Sequence, residues 1–141
     1  TQAAFWDQPD LIYASSHQMP LYPGTGAANE RGAHDNIFNL PFAEGTGGAE
    51  ILSGWREQLL PAIADGHPDL IVISAGFDAH EDDPLGGLKM TTDDFYALTR
   101  AISDLAAGCC GGRIVSVLEG GYELNALGAS VLVHLQVLAE S

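Results

Sequence analysis

Residues 70–85 read Leu-Ile-Val-Ile-Ser-Ala-Gly-Phe-Asp-Ala-His-Glu-Asp-Asp-Pro-Leu, and this stretch decides the fold. Residues 70–73 are apolar without alternation, which is typical of a strand buried on both faces in a parallel sheet flanked by helices. In open α/β sheets the ligand crevice lies beyond the carboxyl ends of the strands, so the polar residues that follow are expected to border a functional site. Those residues are Asp78, His80, Glu81, Asp82 and Asp83.

Composition limits the class of protein. The 141 residues are 46% apolar and 17% charged, which is enough for the core of one domain. The net charge of -14 repels phosphate backbones and anionic lipid surfaces, so we expect neither nucleic acid nor a membrane as a direct partner.

Cys109 and Cys110 are adjacent and cannot form a disulfide framework, which indicates a reducing cytoplasm. We expect both cysteines in a small loop before a strand.

Strand-like and helix-like patterns alternate along the chain. This alternation predicts an α/β fold in which helices flank an open parallel sheet. Strands are expected at residues 11–16, 36–40, 70–73 and 113–118. Helices are expected at residues 49–63, from Thr91 or Thr92 onwards, and at residues 124–138. The last helix is expected to pack on the sheet through Leu127, Val131, Leu135 and Leu138.

Two predicted strands end in residues with catalytic chemistry. Asp78 follows the strand at residues 70–73, and Tyr122 follows the strand at residues 113–118 after two glycines. A carboxylate can hold a divalent metal, and a phenol can donate a hydrogen bond to an oxygen that gains negative charge. The alternative interpretation makes Asp78 an ordinary loop acid and Tyr122 a half-buried tyrosine with its hydroxyl in water.

Several short motifs carry a family resemblance. They are Ser74-Ala75-Gly76-Phe77-Asp78-Ala79-His80, Asp82-Asp83-Pro84-Leu85-Gly86, Leu118-Glu119-Gly120-Gly121-Tyr122, Pro23-Gly24-Thr25-Gly26 and Asn39-Leu40-Pro41. Together they resemble the zinc-dependent histone deacetylase superfamily, including its bacterial acetoin-utilisation and acetylpolyamine members. The resemblance implies a sheet of the arginase-deacetylase type that is incomplete in this chain. Residues 1–141 would form the carboxyl-terminal part of one deacetylase domain.

The resemblance also implies roles for individual residues. Asp78 matches a ligand of zinc or of another divalent metal such as ferrous iron, and Tyr122 matches the catalytic tyrosine that polarises the acyl carbonyl. Substrate contacts fall on Leu21 and Tyr22, which match an apolar wall around the acyl-lysine stem, and on Gly120 and Gly121. Main-chain groups of five residues match sites for potassium or sodium: Phe5, Gln8, Leu11, Ser15 and Ser16.

One family segment has no counterpart in residues 1–141. In the family, an Asp-x-His-His-Gly-Asn-Gly segment supplies further zinc ligands and one member of a histidine pair that acts as general base. We therefore expect a chain that belongs to an amidohydrolase for acetylated lysine or polyamine-like amines but binds zinc weakly and does not turn over alone. The alternative is a non-catalytic remnant or assembly module that binds no metal. A homo-oligomer or a complementing chain is compatible with either interpretation.

Overall fold

The structure, a computed structural model, describes residues 1–140 and consists of alternating strands and helices. This arrangement confirms the predicted α/β class. Within these residues no helix combines the length and the apolar character needed to cross a membrane. The strands are Tyr13–Gln18 (β1), Ile37–Phe42 (β2), Ile71–Ala75 (β3) and Ile114–Leu118 (β4). The helices are Gln2–Phe5 (α1), Gly48–Gly54 (α2), Leu60–Asp65 (α3), Thr92–Cys110 (α4) and Leu124–Ala139 (α5), and a π-helical segment, Trp55–Leu59, joins α2 to α3.

The strands form two separate parallel pairs. Strand β1 pairs with β2 in a register that sets Tyr13 opposite Ile37, and β3 pairs with β4 in a register that sets Ile71 opposite Ile114. Among residues 1–140 no ladder joins one pair to the other. The single open sheet expected from the sequence is therefore present as two parallel fragments.

Strand β3 is covered on one face only. Ile73 and Ala75 pack in the hydrophobic core with side chains of α4 and α5. Val72 is 62% exposed, and Val115 and Val117 on the neighbouring strand are 48% and 50% exposed. The prediction that residues 70–73 are buried on both faces is wrong for this chain, because α4 and α5 cover one side of the β3–β4 pair while the valines on the other side stay about half exposed.

Helix α4 has well-defined ends. The Thr91 hydroxyl accepts a hydrogen bond from the Asp94 backbone N–H, and the Asp94 carboxylate accepts one from the Thr91 N–H, which is a capping box. The helix stops at Gly111, whose φ of 62° is left-handed. Cys109 and Cys110 lie in the last helical turn, so the prediction of a loop there is wrong.

Helix α5 buries a stripe of small and polar residues rather than the predicted leucine face. Leu127 and Val131 do contact the core, but Leu135 is 55% exposed, and its assignment to the packed face is wrong. The buried stripe is rotated away from the leucines. Its members are Ala126, Ser130, His134 and Val137.

His134 joins three elements through its two ring nitrogens. Its Nδ1 lies 2.8 Å from the Thr99 hydroxyl on α4, and its Nε2 lies 2.8 Å from the Ser116 hydroxyl on β4. The Thr99 hydroxyl donates its own proton to the Phe95 carbonyl, so it must accept from Nδ1, and Nε2 must then accept from Ser116. Burial lowers the pKa of His134, which agrees with this neutral tautomer.

Candidate active site

The loops after β3 and β4 are held side by side. The Ala75 carbonyl accepts a hydrogen bond of 2.9 Å from the Glu119 N–H, and the Gly120 carbonyl accepts one of 2.8 Å from the Phe77 N–H. These bonds extend the contact between the two chain segments beyond the strands themselves. Asp78 and Tyr122 therefore leave the same edge of the β3–β4 pair on adjoining loops, as the sequence predicts.

The Asp78 carboxylate lies directly against the Gly120 backbone. A β-carbon at position 120 would come within 2.5 Å of Asp78 Oδ2, so a larger residue there would displace the carboxylate. The residue as a whole is exposed, but this contact removes water from the carboxylate. Desolvation, followed by the negative charge of Asp83, raises the pKa of Asp78. A bound cation would relieve this penalty on the ionised form.

Asp83 links the two loops. Its Oδ1 accepts hydrogen bonds of 2.9 Å from the N–H groups of Leu85 and Gly86, and its Oδ2 accepts one of 2.8 Å from the Tyr122 N–H. Burial alone would raise the pKa of Asp83, but these backbone donors outweigh it and hold the pKa below its usual value. Sequence reasoning missed the bond to Tyr122, because the two residues are 39 positions apart.

Replacement of Asp83 by alanine is expected to destabilise the chain by roughly 2 kcal/mol, because three backbone N–H groups in part-buried hydrogen bonds lose a charged acceptor. Denaturant unfolding followed by circular dichroism measures the change. Asp82→Ala is the matched control, since the Asp82 side chain is 68% exposed and should cost less than about 0.5 kcal/mol. Equal losses in the two variants would contradict the assigned role of Asp83.

Tyr122 is presented at the rim by a glycine turn. Gly121 has a φ of 140°, and a β-carbon there would lie 2.7 Å from the Leu127 side chain, so the turn requires glycine. The Tyr122 side chain is 55% exposed. Its backbone is therefore fixed by Asp83 and Gly121, while its ring remains accessible to a substrate.

The loop that follows β1 presents the two apolar residues assigned to substrate contact. Leu21 is 50% exposed and Tyr22 is 98% exposed. The end of β1 is attached to the loop that carries Asp83, because the Gln18 side chain accepts a hydrogen bond of 2.7 Å from the Gly87 N–H. This hydrogen bond joins the segment that precedes Leu21 and Tyr22 to the loop that carries Asp78.

His80 is turned into the protein, away from the rim. Only 6% of its surface is exposed, its ring stacks on Phe95, and its Nδ1 accepts a hydrogen bond of 3.1 Å from the Asp82 N–H. His80 therefore lies inside the loop and does not face the rim beside Asp78. The side chain instead packs the Asp78 loop against α4.

A complete metal site is absent from residues 1–140. No group of three or more His, Cys, Asp or Glu side chains in this range is arranged to hold a metal ion. A catalytic zinc needs about three protein ligands and an open position. Asp78 is the single candidate ligand that the motifs identify, so the described residues do not by themselves fit zinc.

The carbonyl groups predicted to hold a monovalent cation do converge. The carbonyl oxygens of Phe5, Gln8 and Leu11 lie 3.0, 3.1 and 2.9 Å from one atom, the side-chain nitrogen of Asn36. Sequence reasoning did not single out Asn36, because its position before β2 gives no local signal of contacts with residues 5–11.

The other predicted cation site involves the main chain of Ser15 and Ser16 on β1. Both hydroxyl groups already have side-chain partners. Ser15 Oγ lies 3.0 Å from His17 Nδ1, and Ser16 Oγ accepts a hydrogen bond of 2.9 Å from Trp55 Nε1. A cation role for the backbone of these residues stays a prediction.

Comparison with known proteins agrees with the motifs and the geometry. A profile of the family described as "Histone deacetylase domain" matches residues 1–138. The chain is 41% identical to "Histone deacetylase 14, chloroplastic" of Arabidopsis thaliana, covering 98% of the chain and 33% of that protein. It is 36% identical to a "Probable deacetylase" of Archaeoglobus fulgidus, covering 99% of the chain and 39% of that protein.

Solved structures give the same answer. The crystal structure of the HDA15 HD domain superimposes with a TM-score of 0.91 at 34% identity, and the match covers 99% of the chain and 40% of that structure. The histone deacetylase Clr3 superimposes with a TM-score of 0.89 at 30% identity, over 99% of the chain and 24% of that structure. The chain thus spans less than half the length of these relatives. On its motifs, its fold and these matches, the chain belongs to the histone deacetylase family.

Proposed function

We propose that this chain supplies the Asp78 and Tyr122 side of the active site of a zinc-dependent deacetylase, which removes acetyl or other acyl groups from lysine or polyamine-like amines. The contact between the Asp78 carboxylate and the Gly120 backbone carries this proposal, because it unites a candidate metal ligand with the turn that presents Tyr122. The deacetylase names of the relatives support the reaction class.

The residues of this chain would act on the substrate in distinct ways. The Tyr122 hydroxyl would donate a hydrogen bond to the amide carbonyl oxygen as that oxygen gains negative charge. Leu21 and Tyr22 would contact the aliphatic stem of the acylated amine. Asp83 would fix the position of Tyr122 through its backbone N–H.

Zinc would supply Lewis-acid chemistry and lower the pKa of a bound water. Asp78 alone cannot hold the ion, so zinc binding needs ligands from outside the described residues. We propose that the missing ligands come from a segment that completes the deacetylase domain.

The charge of the chain favours a cationic substrate. A net charge of -14 attracts polyamines and lysine-rich peptides over anionic molecules. Two relatives carry "chloroplastic" in their names, and the cytoplasmic location of this chain stays a prediction.

The isolated chain is expected to bind substoichiometric zinc and to show no hydrolysis of an acetyl-lysine reporter, because one matched ligand is too few. Metal analysis after equilibration with zinc and a fluorescent deacetylation assay measure the two quantities. Stoichiometric zinc together with clear turnover would contradict the expectation.

A chimera provides the positive test. In this chimera, residues 1–141 replace the matched region of the Archaeoglobus fulgidus protein, and that protein supplies the rest of a deacetylase domain. We expect this chimera to bind zinc and hydrolyse the reporter. A folded chimera that binds no zinc would favour the alternative, a non-catalytic assembly module.

One observation supports a complementing polypeptide. The exposed face of the β3–β4 pair carries Val72, Val115 and Val117, and contiguous apolar surface of this kind is rarely left in water. We propose that the rest of a deacetylase domain covers this face. A homo-oligomer that buries the same valines is the competing arrangement.

A further inference from the structure

We propose that the side-chain amide of Asn36 replaces the monovalent cation at the carbonyl oxygens of Phe5, Gln8 and Leu11, which together form a carbonyl cage. The family resemblance assigns an ion to these groups. In this chain an uncharged donor satisfies them instead. The inference concerns the stability of the fold and does not depend on the proposed deacetylase activity.

The backbone after α1 builds the carbonyl cage. The Phe5 carbonyl accepts a hydrogen bond of 3.2 Å from the Gln8 N–H, and the Gln8 carbonyl accepts one of 3.3 Å from the Leu11 N–H. Two successive turns with the same spacing direct the three carbonyl oxygens to one side. All three lie within 2.9–3.1 Å of Asn36 Nδ2, so this nitrogen occupies the centre of the cage.

The cage also sets which end of the amide points inwards. Carbonyl oxygens only accept hydrogen bonds, so the opposite orientation would bring Asn36 Oδ1 against three oxygens with no proton between them. The amide has two hydrogens for three acceptors. This number suffices because Phe5 and Gln8 each accept a further backbone N–H.

Asn36 has little room to make way for an ion. The residue is 6% exposed, and its backbone carbonyl accepts a hydrogen bond of 2.9 Å from the Tyr13 N–H. Behind the amide, Gly32 has a φ of 73°, and a β-carbon there would lie 2.4 Å from Asn36 Oδ1. The amide is therefore enclosed between Gly32 and the cage.

Asn36 Oδ1 shows the cost of this arrangement. It is a buried oxygen for which the described residues provide no hydrogen-bond partner. An unsatisfied buried acceptor normally destabilises a fold, so the three bonds made by Nδ2 must compensate for it. An ion bound by the same three oxygens would need the space that Nδ2 fills.

The test compares thermal unfolding of the full chain in potassium chloride and in tetramethylammonium chloride at equal ionic strength. Asn36→Ala empties the cage, and Asn36→Leu fills it with an apolar group that donates nothing. We expect potassium to raise the Tm of the alanine variant by about 3–5 °C more than it raises that of the wild type or the leucine variant. Binding of potassium elsewhere contributes equally to all three proteins and cancels in the comparison.

A potassium effect in the wild type that Asn36→Leu removes would overturn the proposal, and so would an alanine variant that does not respond to potassium. A measurement on the wild type keeps the proposal testable if the variants do not fold. The side-chain NH₂ resonances of Asn36 in a ¹⁵N-labelled chain are expected to stay unchanged when potassium chloride replaces tetramethylammonium chloride. A potassium-dependent shift or loss of these resonances would show that the ion enters the cage.

Discussion

Replacing Tyr122 with phenylalanine in the chimera is expected to lower kcat for an acetyl-lysine reporter about 10²–10³-fold, with KM nearly unchanged. The change removes one hydroxyl and keeps the ring. The lost hydrogen bond matters most when the carbonyl oxygen becomes negative, so its loss raises the barrier rather than weakening substrate binding. Steady-state kinetics with purified protein measures both parameters.

Tyr96→Phe is the matched control for this substitution. Tyr96 lies on α4, is 42% exposed, and stacks with the Arg100 guanidinium instead of approaching the rim of the β3–β4 pair. It should leave kcat unchanged. If both variants keep the kcat of the parent chimera, Tyr122 has no catalytic role. If Tyr122→Phe raises KM alone, Tyr122 binds substrate without stabilising the transition state.

Asp78→Asn in the chimera is expected to remove most bound zinc and to lower deacetylation on the order of 10³-fold or more, because a neutral amide is a poor ligand for the ion. The substitution preserves the shape of the side chain beside Gly120. Metal analysis and kinetics on the same preparation show whether metal and activity are lost together.

Asp82→Asn tests whether the effect is specific to Asp78. Both residues are acids of the same loop, but the Asp82 side chain is 68% exposed and is not matched to a ligand. The control should keep zinc and activity. Full zinc occupancy in Asp78→Asn would refute the proposed role, whatever the effect on rate.

The sequence predicted that Asp78 and Tyr122 lie on adjoining loops, because local signals mark the two strand ends that precede them. The apolar run before Asp78 and the Gly120-Gly121 turn before Tyr122 mark two strand ends, and the structure joins those ends by backbone hydrogen bonds. The types of the elements were also predictable, because helix caps such as Thr91 and Gly111 and the spacing of apolar residues depend on neighbours only a few positions away. The helix boundary at Cys110 was misjudged, because small residues near glycines look like a loop in sequence.

Long-range contacts were not predictable. The bond from Asp83 to the Tyr122 N–H and the contact of Asn36 with three carbonyls both join residues far apart in sequence. The buried stripe of α5 could not be derived from hydrophobicity, because His134 is buried only where Thr99 and Ser116 satisfy both its nitrogens.

The sequence by itself determined the α/β class, the order of elements, the family and the two residues, Asp78 and Tyr122, on which the proposed chemistry depends. The tertiary structure alone decided that the strands form two pairs, that one face of β3 and β4 stays uncovered, and that Asn36 fills the carbonyl cage. The physical reason is the distance along the chain over which each interaction acts. Propensities, caps and turns act between neighbours, whereas burial and the pairing of polar atoms depend on which distant groups meet.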